Sequence, residues 1–279
     1  MPGCGDGIMI IHNQPSEAYH SHPAIGSTTA KLMLTSPRLF ADRMAGMDVE
    51  DDKPCFQIGR LAHQMVLEPD KFAECVVSEG PINEKTGKPY GRDTQAFAKW
   101  QIENPKLVYV EPWLHTAIIR MPEEVKHVFS DGHAEVSVYQ KDSYGTDIKC
   151  RPDYLRGTTV YDLKTIVNVD SCDAEINKRK YYVSHAWYRR VMKLQTGQDH
   201  TFQFVFMEKS PPYRWRIRKL DQDYIDYADA EVDKILIGIH LCRYASDWMD
   251  YSEISGITPM PAWLANEAFQ VDAENGISL

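Results

Sequence analysis

The 279-residue chain lacks several features that define common protein classes. Its six cysteines are scattered and form no Cys-x-x-Cys pair, which argues against a structural zinc site and an iron–sulfur cluster. No apolar run approaches the roughly 20 residues that a membrane-spanning helix needs. Residues 1–11 contain no basic side chain, unlike a secretory signal, so we expect a cytoplasmic protein with no membrane partner.

A phosphate-binding loop is also absent from the sequence. The segment Lys85-Thr-Gly87-Lys88 lies among prolines and lacks the Gly-x-x-x-x-Gly-Lys-Ser/Thr spacing that cradles a nucleotide. We therefore expect no use of ATP.

The charge of the chain is unevenly distributed. The net charge is −9, yet residues 171–220 contain 11 Lys and Arg against 4 Asp and Glu. A basic segment inside an acidic chain indicates either contact with nucleic acid or a solvated helix face, and charge alone does not separate the two.

Hydrophobic spacing predicts a helical N-terminal third followed by a mixed α/β region. The predicted helices are 27–34, 38–44, 56–67, 93–103, 111–129, 173–194 and 221–249. The predicted strands are 134–140, 146–155 and 158–165, which would form an antiparallel meander, and then 202–208 and 213–220. We expect three portions within one continuous domain: a helical portion 1–130, a core 131–255 and a tail 256–279.

Two carboxylates and a lysine lie at the ends of adjacent predicted strands. Arg151-Pro152-Asp153 is separated by eight residues from Asp162-Leu163-Lys164, and Asp162 and Lys164 share one face of their strand. Converging carboxylates can hold Mg²⁺, and a lysine beside them can act on the attacking water or offset transition-state charge. The pattern suits phosphodiester hydrolysis, although surface strands also alternate acid and base as ordinary ion pairs. Glu135 is a candidate third acid, or alternatively a solvated strand end.

Together with two further blocks, these residues resemble the PD-(D/E)XK nuclease superfamily, most closely its RecE-type exonuclease VIII branch, which is common in phages and prophages. The match spans about residues 19–195. The blocks are Tyr19-His20 with His22-Pro23-Ala24-Ile25, Ser36-Pro37 and Phe40; Gly59-x-x-x-His63-x-x-x-Leu67-Glu68-Pro69 with Phe72; and Arg151-Pro152-Asp153 with Asp162-Leu163-Lys164-Thr165.

The resemblance implies a restriction-endonuclease-like core, a mixed sheet flanked by helices in the order αβββαβ, with an N-terminal helical extension. It implies that Asp153, Asp162 and the Leu163 carbonyl bind Mg²⁺ or Mn²⁺ and that Lys164 is the catalytic lysine. It also places His63, on a helix, beside the metal as a catalytic residue and possible ligand.

One position departs from the family pattern of Gln-x-x-x-Tyr on the next helix. The tyrosine is present as Tyr188, but Ser184 stands where glutamine is expected. Serine is shorter and reaches a phosphate only at closer range. His185 could substitute for it, although a surface histidine is the simpler interpretation.

Basic residues interleaved with aromatics predict the DNA-binding side. The candidates are Arg189 and Arg190 on the helix, and Arg214, Arg216 and Arg218, which share one face of a strand. This face was expected not to be a core face. The alternative is that these arginines pair with acidic residues of the same chain or of a neighbouring subunit.

The function implied by the resemblance is a Mg²⁺-dependent exodeoxyribonuclease that degrades double-stranded DNA ends from 5′ to 3′ for recombination. Family members form rings around DNA, so we expect a homo-oligomer. The resemblance also implies a single-strand annealing partner and a location in the cytoplasm of the bacterial host. The alternatives are a structure-specific or single-strand nuclease of the same superfamily and a non-catalytic DNA-binding relative.

Overall fold

The protein was analysed as a computed structural model, which describes residues 9–47, 54–73, 76–78, 80–105, 107–110 and 112–249. The helices are α1 (Ser16–Ser21), α2 (Ser27–Ala30), α3 (Pro37–Met44), α4 (Pro54–Leu67), α5 (Pro69–Ala73), α6 (Gln95–Glu103), α7 (Pro112–Ile119), α8 (Glu123–Val128), α9 (Cys172–Lys178), α10 (Tyr181–Thr196) and α11 (Gln222–Ala245), with 3₁₀ turns at Lys31–Leu34 and Val169–Ser171. The strands are β1 (Met9–Ile11), β2 (Val76–Ser78), β3 (Ile82–Asn83), β4 (Lys88–Pro89), β5 (Leu107–Tyr109), β6 (His133–Ala134), β7 (Ser137–Lys141), β8 (Asp147–Cys150), β9 (Tyr154–Arg156), β10 (Thr159–Ile166), β11 (Thr201–Glu208) and β12 (Trp215–Arg218).

Two sheets form the centre of the structure. The main sheet has the order β12-β11-β10-β9-β6, in which β10 and β11 are parallel and the other neighbours antiparallel. The second sheet is antiparallel, with the order β1-β7-β8. Helices α9 and α10 make the crossover that a parallel pair requires. The predicted fold class, a mixed α/β core flanked by helices, is confirmed.

The predicted three-stranded meander is wrong, because its first two strands are each broken and their halves belong to different sheets. The first breaks between β6 and β7, where Glu135 adopts a left-handed backbone with φ of 52°. The second breaks at residues 151–153, where Pro152 has no N–H to donate to a ladder. The Glu135 N–H donates to the Asp153 carbonyl at 3.0 Å. This hydrogen bond therefore joins the two strand breaks at the place where the two sheets meet.

Two predicted long helices are also divided. The segment predicted as 173–194 forms α9 and α10 because Lys180 adopts a left-handed conformation, with φ of 51°. The segment predicted as 111–129 forms α7 and α8, with Pro122 at the start of α8. The last helix ends at Ala245, followed by a left-handed Ser246, rather than at 249. Residues 80–92, which contain two prolines and three glycines, include the short β3–β4 pair.

Apolar clusters cover both faces of the main sheet, because side chains alternate along each strand. On one face Phe204 packs in a cluster with Trp187 of α10. On the other face Leu163 shares a cluster with Ala62 of α4 and Leu114 of α7. The helices before position 130 thus share a core with the sheet that follows.

The predicted tail, 256–279, lies outside the described residues. Among the helices of the described ranges, none combines the length and apolarity needed to cross a membrane.

Candidate active site

The backbone break at residues 151–153 holds the first acid of the site. Asp153 is 8% exposed, and its Oδ2 accepts a hydrogen bond from the Leu163 N–H at 2.7 Å. This bond links the junction of the two sheets to the central strand β10. A buried carboxylate is costly to leave unpaired, so the bond fixes Asp153 in one position.

The second acid and the lysine lie side by side on β10. Asp162 is 3% exposed, and its Oδ2 is 2.7 Å from the Lys164 Nζ. Burial raises the pKa of the Asp162 carboxyl, although Lys164 opposes the shift. For Lys164, burial would lower the pKa, but Asp162 and Asp153 outweigh it and raise the pKa above its ordinary value. Lys164 therefore keeps its proton.

The third acid, Glu135, lies in the other backbone break. Its Oε2 is 2.6 Å from the Nε of Arg151, which belongs to the segment that carries Asp153. The left-handed backbone at Glu135 costs energy in a residue other than glycine. The Arg151 ion pair and the hydrogen bond to the Asp153 carbonyl hold this conformation.

His63 reaches the same point from α4, although it lies 90 positions before Asp153. Its Nε2 is 2.9 Å from the Leu163 carbonyl oxygen, so Nε2 is the donor. Its Nδ1 is 3.7 Å from Asp153 Oδ1 and 3.8 Å from Glu135 Oε1. Burial disfavours the charged ring, but the two carboxylates outweigh it and raise the pKa of His63 to about 9.

These side chains form a donor set that suits a divalent cation. Ligand atoms of His63, Glu135 and Asp153 all lie within 4.8 Å of one another. The Leu163 carbonyl oxygen accepts a hydrogen bond from His63 and so lies next to this group. The two carboxylates suit Mg²⁺ or Mn²⁺, whereas an imidazole ligand is more typical of transition metals. Asp162 lies outside this group of three, and its carboxylate pairs with Lys164. The group opens onto a cleft of about 380 Å³.

The structure separates the two predicted phosphate-contacting residues of α10. Tyr188 lines the cleft beside Asp153 and His63, and burial raises the pKa of its hydroxyl. Ser184 is buried, and its Oγ donates to the Ser27 Oγ of α2 at 3.3 Å. The surface position expected for His185 is wrong, because this ring is 1% exposed and packs on Phe202. A DNA contact of Ser184 would require α2 to move.

All five candidate DNA-binding arginines pair with carboxylates of the same chain, which is the alternative stated above. On α10, Arg189 pairs with Asp229 and Arg190 with Asp233. On and before β12, Arg214 pairs with Glu208 and Asp170, Arg216 with Asp170, and Arg218 with Asp173.

The expectation that the strand arginines avoid a core face needs correction. Arg216 and Arg218 are in register with Phe206 and Phe204, which are core residues. They therefore share a sheet face with the core and remain accessible because β12 is an edge strand. Their contact with DNA stays a prediction.

Lys31 is a neighbour of the site that sequence reasoning missed. Its Nζ lies 5.5 Å from the centroid of the Tyr181 ring, and the Nζ of Lys164 lies 5.4 Å from the same ring. Burial and the charge of Lys164 lower the pKa of Lys31 to about 7. No local pattern marks Lys31, because its partner Tyr181 is 150 positions later.

Fold and site together define a PD-(D/E)XK-like protein, with two acids and a lysine on a mixed sheet. Residues 26–257 match the family described as "PDDEXK-like domain of unknown function (DUF3799)", and the chain belongs to that family. A search of curated proteins finds no match.

A solved structure shows the same fold. A crystal structure from Eubacterium rectale, described as a "putative exonuclease", is 13% identical with a TM-score of 0.62, over 92% of this chain and 98% of that one. A structure described as SSO0001 is 12% identical with a TM-score of 0.33, over 79% of this chain and 81% of that one. The family match and the shared fold together define a PDDEXK-like domain.

Proposed function

We propose that the protein is a Mg²⁺-dependent exodeoxyribonuclease that degrades double-stranded DNA ends, 5′ to 3′, and supplies single strands for phage-type recombination. The observation that carries the proposal is the convergence of Asp153, Asp162, Lys164, Glu135 and His63 where the two sheets meet. Direction, end preference and the recombination role rest on the resemblance to RecE-type exonucleases.

Each residue of the cluster has a role in this proposal. Asp153 and Asp162 hold the metal, with Glu135, His63 and the Leu163 carbonyl as further ligands. Bound Mg²⁺, or Mn²⁺ in its place, would polarise the phosphoryl oxygen and lower the pKa of a bound water. Asp162 and Asp153 raise the pKa of Lys164, and Lys164 would offset charge that develops on the phosphoryl oxygens or act on the attacking water.

Two alternatives use the same residues differently. A structure-specific or single-strand nuclease of the superfamily would share this site and differ in the DNA that reaches it. A non-catalytic DNA-binding relative is less well supported, because both acids and the lysine are present and tied together.

The wider biology is proposed from the resemblance alone. We place the protein in the cytoplasm of a bacterial host, working without ATP or an iron–sulfur cluster. A homo-oligomeric ring around DNA and a single-strand annealing partner complete this proposal. Light scattering of the purified protein, with and without duplex DNA, would measure the subunit number.

Digestion of matched linear and closed circular duplexes tests the function. With Mg²⁺ or Mn²⁺ we expect loss of the linear form and accumulation of single strands, with no effect of ATP. Excess EDTA should abolish the reaction, and Asp162→Asn should remove it while the exposed control Asp223→Asn keeps it. Cutting of the circle would favour the structure-specific alternative, and DNA binding without cleavage in either metal would favour the non-catalytic one.

A further inference from the structure

A groove continues from the active-site cleft along the N-terminal helices. It encloses about 690 Å³, and Thr28 of α2 and Arg43 of α3 are among the residues that line it. Four residues line both this groove and the cleft that contains His63, namely Tyr19, His20, Arg60 and Tyr188. A ligand that extends from the cleft on this side therefore enters the groove, to which the proposed reaction gives no role.

The lining of the groove is basic. Arg43, Arg60 and Lys149 line it, and none of the described residues in its lining is Asp or Glu, although the whole chain has a net charge of −9. The groove between α10 and α11 is different, because each of its basic residues faces a carboxylate in the same lining: Arg189 with Asp229, Arg190 with Asp233 and Lys193 with Asp199. A concave surface lined by charge of one sign attracts a ligand of the opposite sign, so the groove beside the active site suits an anion.

Lys149 provides positive charge beneath the surface of the groove. It is 6% exposed, and its Nζ donates to the Tyr19 and His22 carbonyl oxygens at 2.6 and 2.8 Å. Burial lowers the pKa of Lys149 to about 8, so the side chain is mostly charged at neutral pH. Lys149 therefore attaches the end of α1 to β8 and adds to the potential, while direct contact with a ligand falls to Arg43 and Arg60.

The wall of the groove between α1 and α2 is fixed by further contacts. The Ile25 N–H donates to the Asp147 carbonyl at 2.9 Å, and the Ile25 carbonyl accepts from the Lys149 N–H at 2.8 Å. At the start of α2, the Ser27 Oγ accepts a hydrogen bond from the Ser184 Oγ of α10 at 3.3 Å. A wall that is already ordered lowers the entropic cost of binding a ligand.

The groups that face the groove suit a phosphodiester backbone better than a base. The planar guanidinium of Arg43 or Arg60 matches phosphate oxygens, and the exposed Thr28 hydroxyl can donate to one. The Tyr19 ring is not available for stacking on a base, because it is buried and the charged ends of Lys149 and Arg151 already lie over it. Contacts of this kind hold a strand without reading its sequence.

We propose that this groove binds the phosphodiester backbone of the DNA strand that leads away from the active site, with Arg43, Arg60 and the Thr28 hydroxyl on its phosphates. The inference rests on the proposed function, because a nuclease holds a strand in the cleft that the groove continues. It deepens that function by naming the surface that the strand follows beyond the metal-binding cluster.

Binding in Ca²⁺, which suppresses cleavage, tests the groove without hydrolysis. Fluorescence anisotropy of a labelled linear duplex would be measured across a salt series for wild type, Arg43→Gln, Arg43→Lys, Arg60→Gln and the double glutamine variant, with circular dichroism as a check of the fold. Arg38→Gln is the matched control, because Arg38 is an exposed arginine of the same helix as Arg43 and lies outside the groove lining.

We expect each single glutamine variant to weaken binding about tenfold and to lower the slope of log affinity against log salt by about 0.9. The double variant should lower the slope by twice as much. Arg43→Lys keeps the charge and should keep the wild-type slope, and Arg38→Gln should change neither quantity. Duplexes with 5′-phosphate and with 5′-hydroxyl ends should respond equally, because the groove holds internal phosphates.

Wild-type slopes in folded glutamine variants overturn the proposal, and so does an equal loss of affinity in Arg38→Gln. An effect confined to 5′-phosphorylated DNA would assign the groove to a terminal phosphate and overturn the backbone contact. Cleavage by wild type with Mg²⁺ separates this inference from the proposed function. A protein that cleaves DNA while Arg43 and Arg60 leave the slope unchanged is a nuclease without this groove, whereas one that binds through both arginines and never cleaves keeps the groove and loses the nuclease.

Discussion

The acid and the lysine of β10 depend on each other. Lys164 and Asp162 form an ion pair in which the carboxylate is almost wholly buried. Removing one partner of a buried pair leaves an uncompensated charge. Loss of either partner therefore destabilises the site and also removes a charge that the proposed reaction needs.

Replacing Asp162 by Asn or Lys164 by Met should lower the cleavage rate by at least about 100-fold, because the first removes a metal-binding carboxylate and the second a positive charge beside the phosphate. Gel assays under single-turnover conditions measure the rate, and circular dichroism checks the fold. Lys178→Met removes an exposed lysine and should cleave normally. Near-normal cleavage by both active-site variants would mean that the site lies elsewhere.

The lowered pKa of Lys31 predicts that the stability of the protein depends on pH. The pKa of Lys31 is about 7 in the folded protein and about 10.4 in an unfolded chain. Between these values the unfolded state binds more protons, so the contribution of Lys31 to the free energy of unfolding rises with pH and is lowest below 7. Lys31→Met lacks this term.

We therefore expect Lys31→Met to raise the free energy of unfolding at pH 7 by at least about 1 kcal/mol. The difference from wild type should shrink as the pH approaches 10. Urea denaturation at a series of pH values measures both effects, with Lys178→Met as the control. A difference that stays constant across the series would show that Lys31 is protonated in both states.

Among the secondary-structure elements, charge holds the edge strand β12 in place. Glu208, at the end of β11, is 3% exposed and accepts hydrogen bonds from the backbone and side chain of Arg214. Asp170, in the 3₁₀ turn after β10, pairs with both Arg214 and Arg216. These ion pairs hold strand β12 against the end of β11 and against the 3₁₀ turn that follows β10.

Glu208→Gln should lower the free energy of unfolding by about 1–3 kcal/mol, because it removes a charged acceptor from a buried position. Hydrogen bonds from Arg214 lower the pKa of the Glu208 carboxyl. Its contribution is therefore complete above the unfolded pKa of about 4.3 and is lost as the pH falls through the folded pKa. Urea denaturation at pH 7 and pH 3 measures this, and an equal loss at both pH values would contradict it.

For the whole molecule, the question is which surface the DNA follows. If Arg214, Arg216 and Arg218 contact phosphates, replacing them by Gln should reduce the salt slope by about 0.9 for each contact. If they act as ion-pair partners within the chain, stability should fall and the slope should stay the same. The sequence predicts the first result, and the carboxylate partners of all three arginines favour the second.

Fluorescence anisotropy in Ca²⁺, which suppresses cleavage, and urea denaturation of the same triple variant separate the two possibilities. A smaller salt slope in a stable variant would indicate that these arginines contact DNA phosphates. An unchanged slope would direct the strand to the cleft bordered by His20, Arg60 and Tyr188.

The α/β class, most helix positions and the Asp162–Lys164 pair could be predicted from the sequence, because each depends on neighbouring residues. The alternation along residues 159–165 places both side chains on one face whatever lies around the strand. The spacing around His63 likewise predicted a helix, and α4 covers it. The resemblance, rather than any local pattern, associated His63 with the acids.

The remainder of the site depends on contacts between distant residues. Glu135 meets Asp153 because two strands break at the same place, and a left-handed backbone at a glutamate has no local signal. The arginines looked like a free basic face until the fold placed Glu208, Asp170 and Asp173 beside them. Charge, burial and pKa depend on which groups lie within a few ångströms, and chain folding sets those distances.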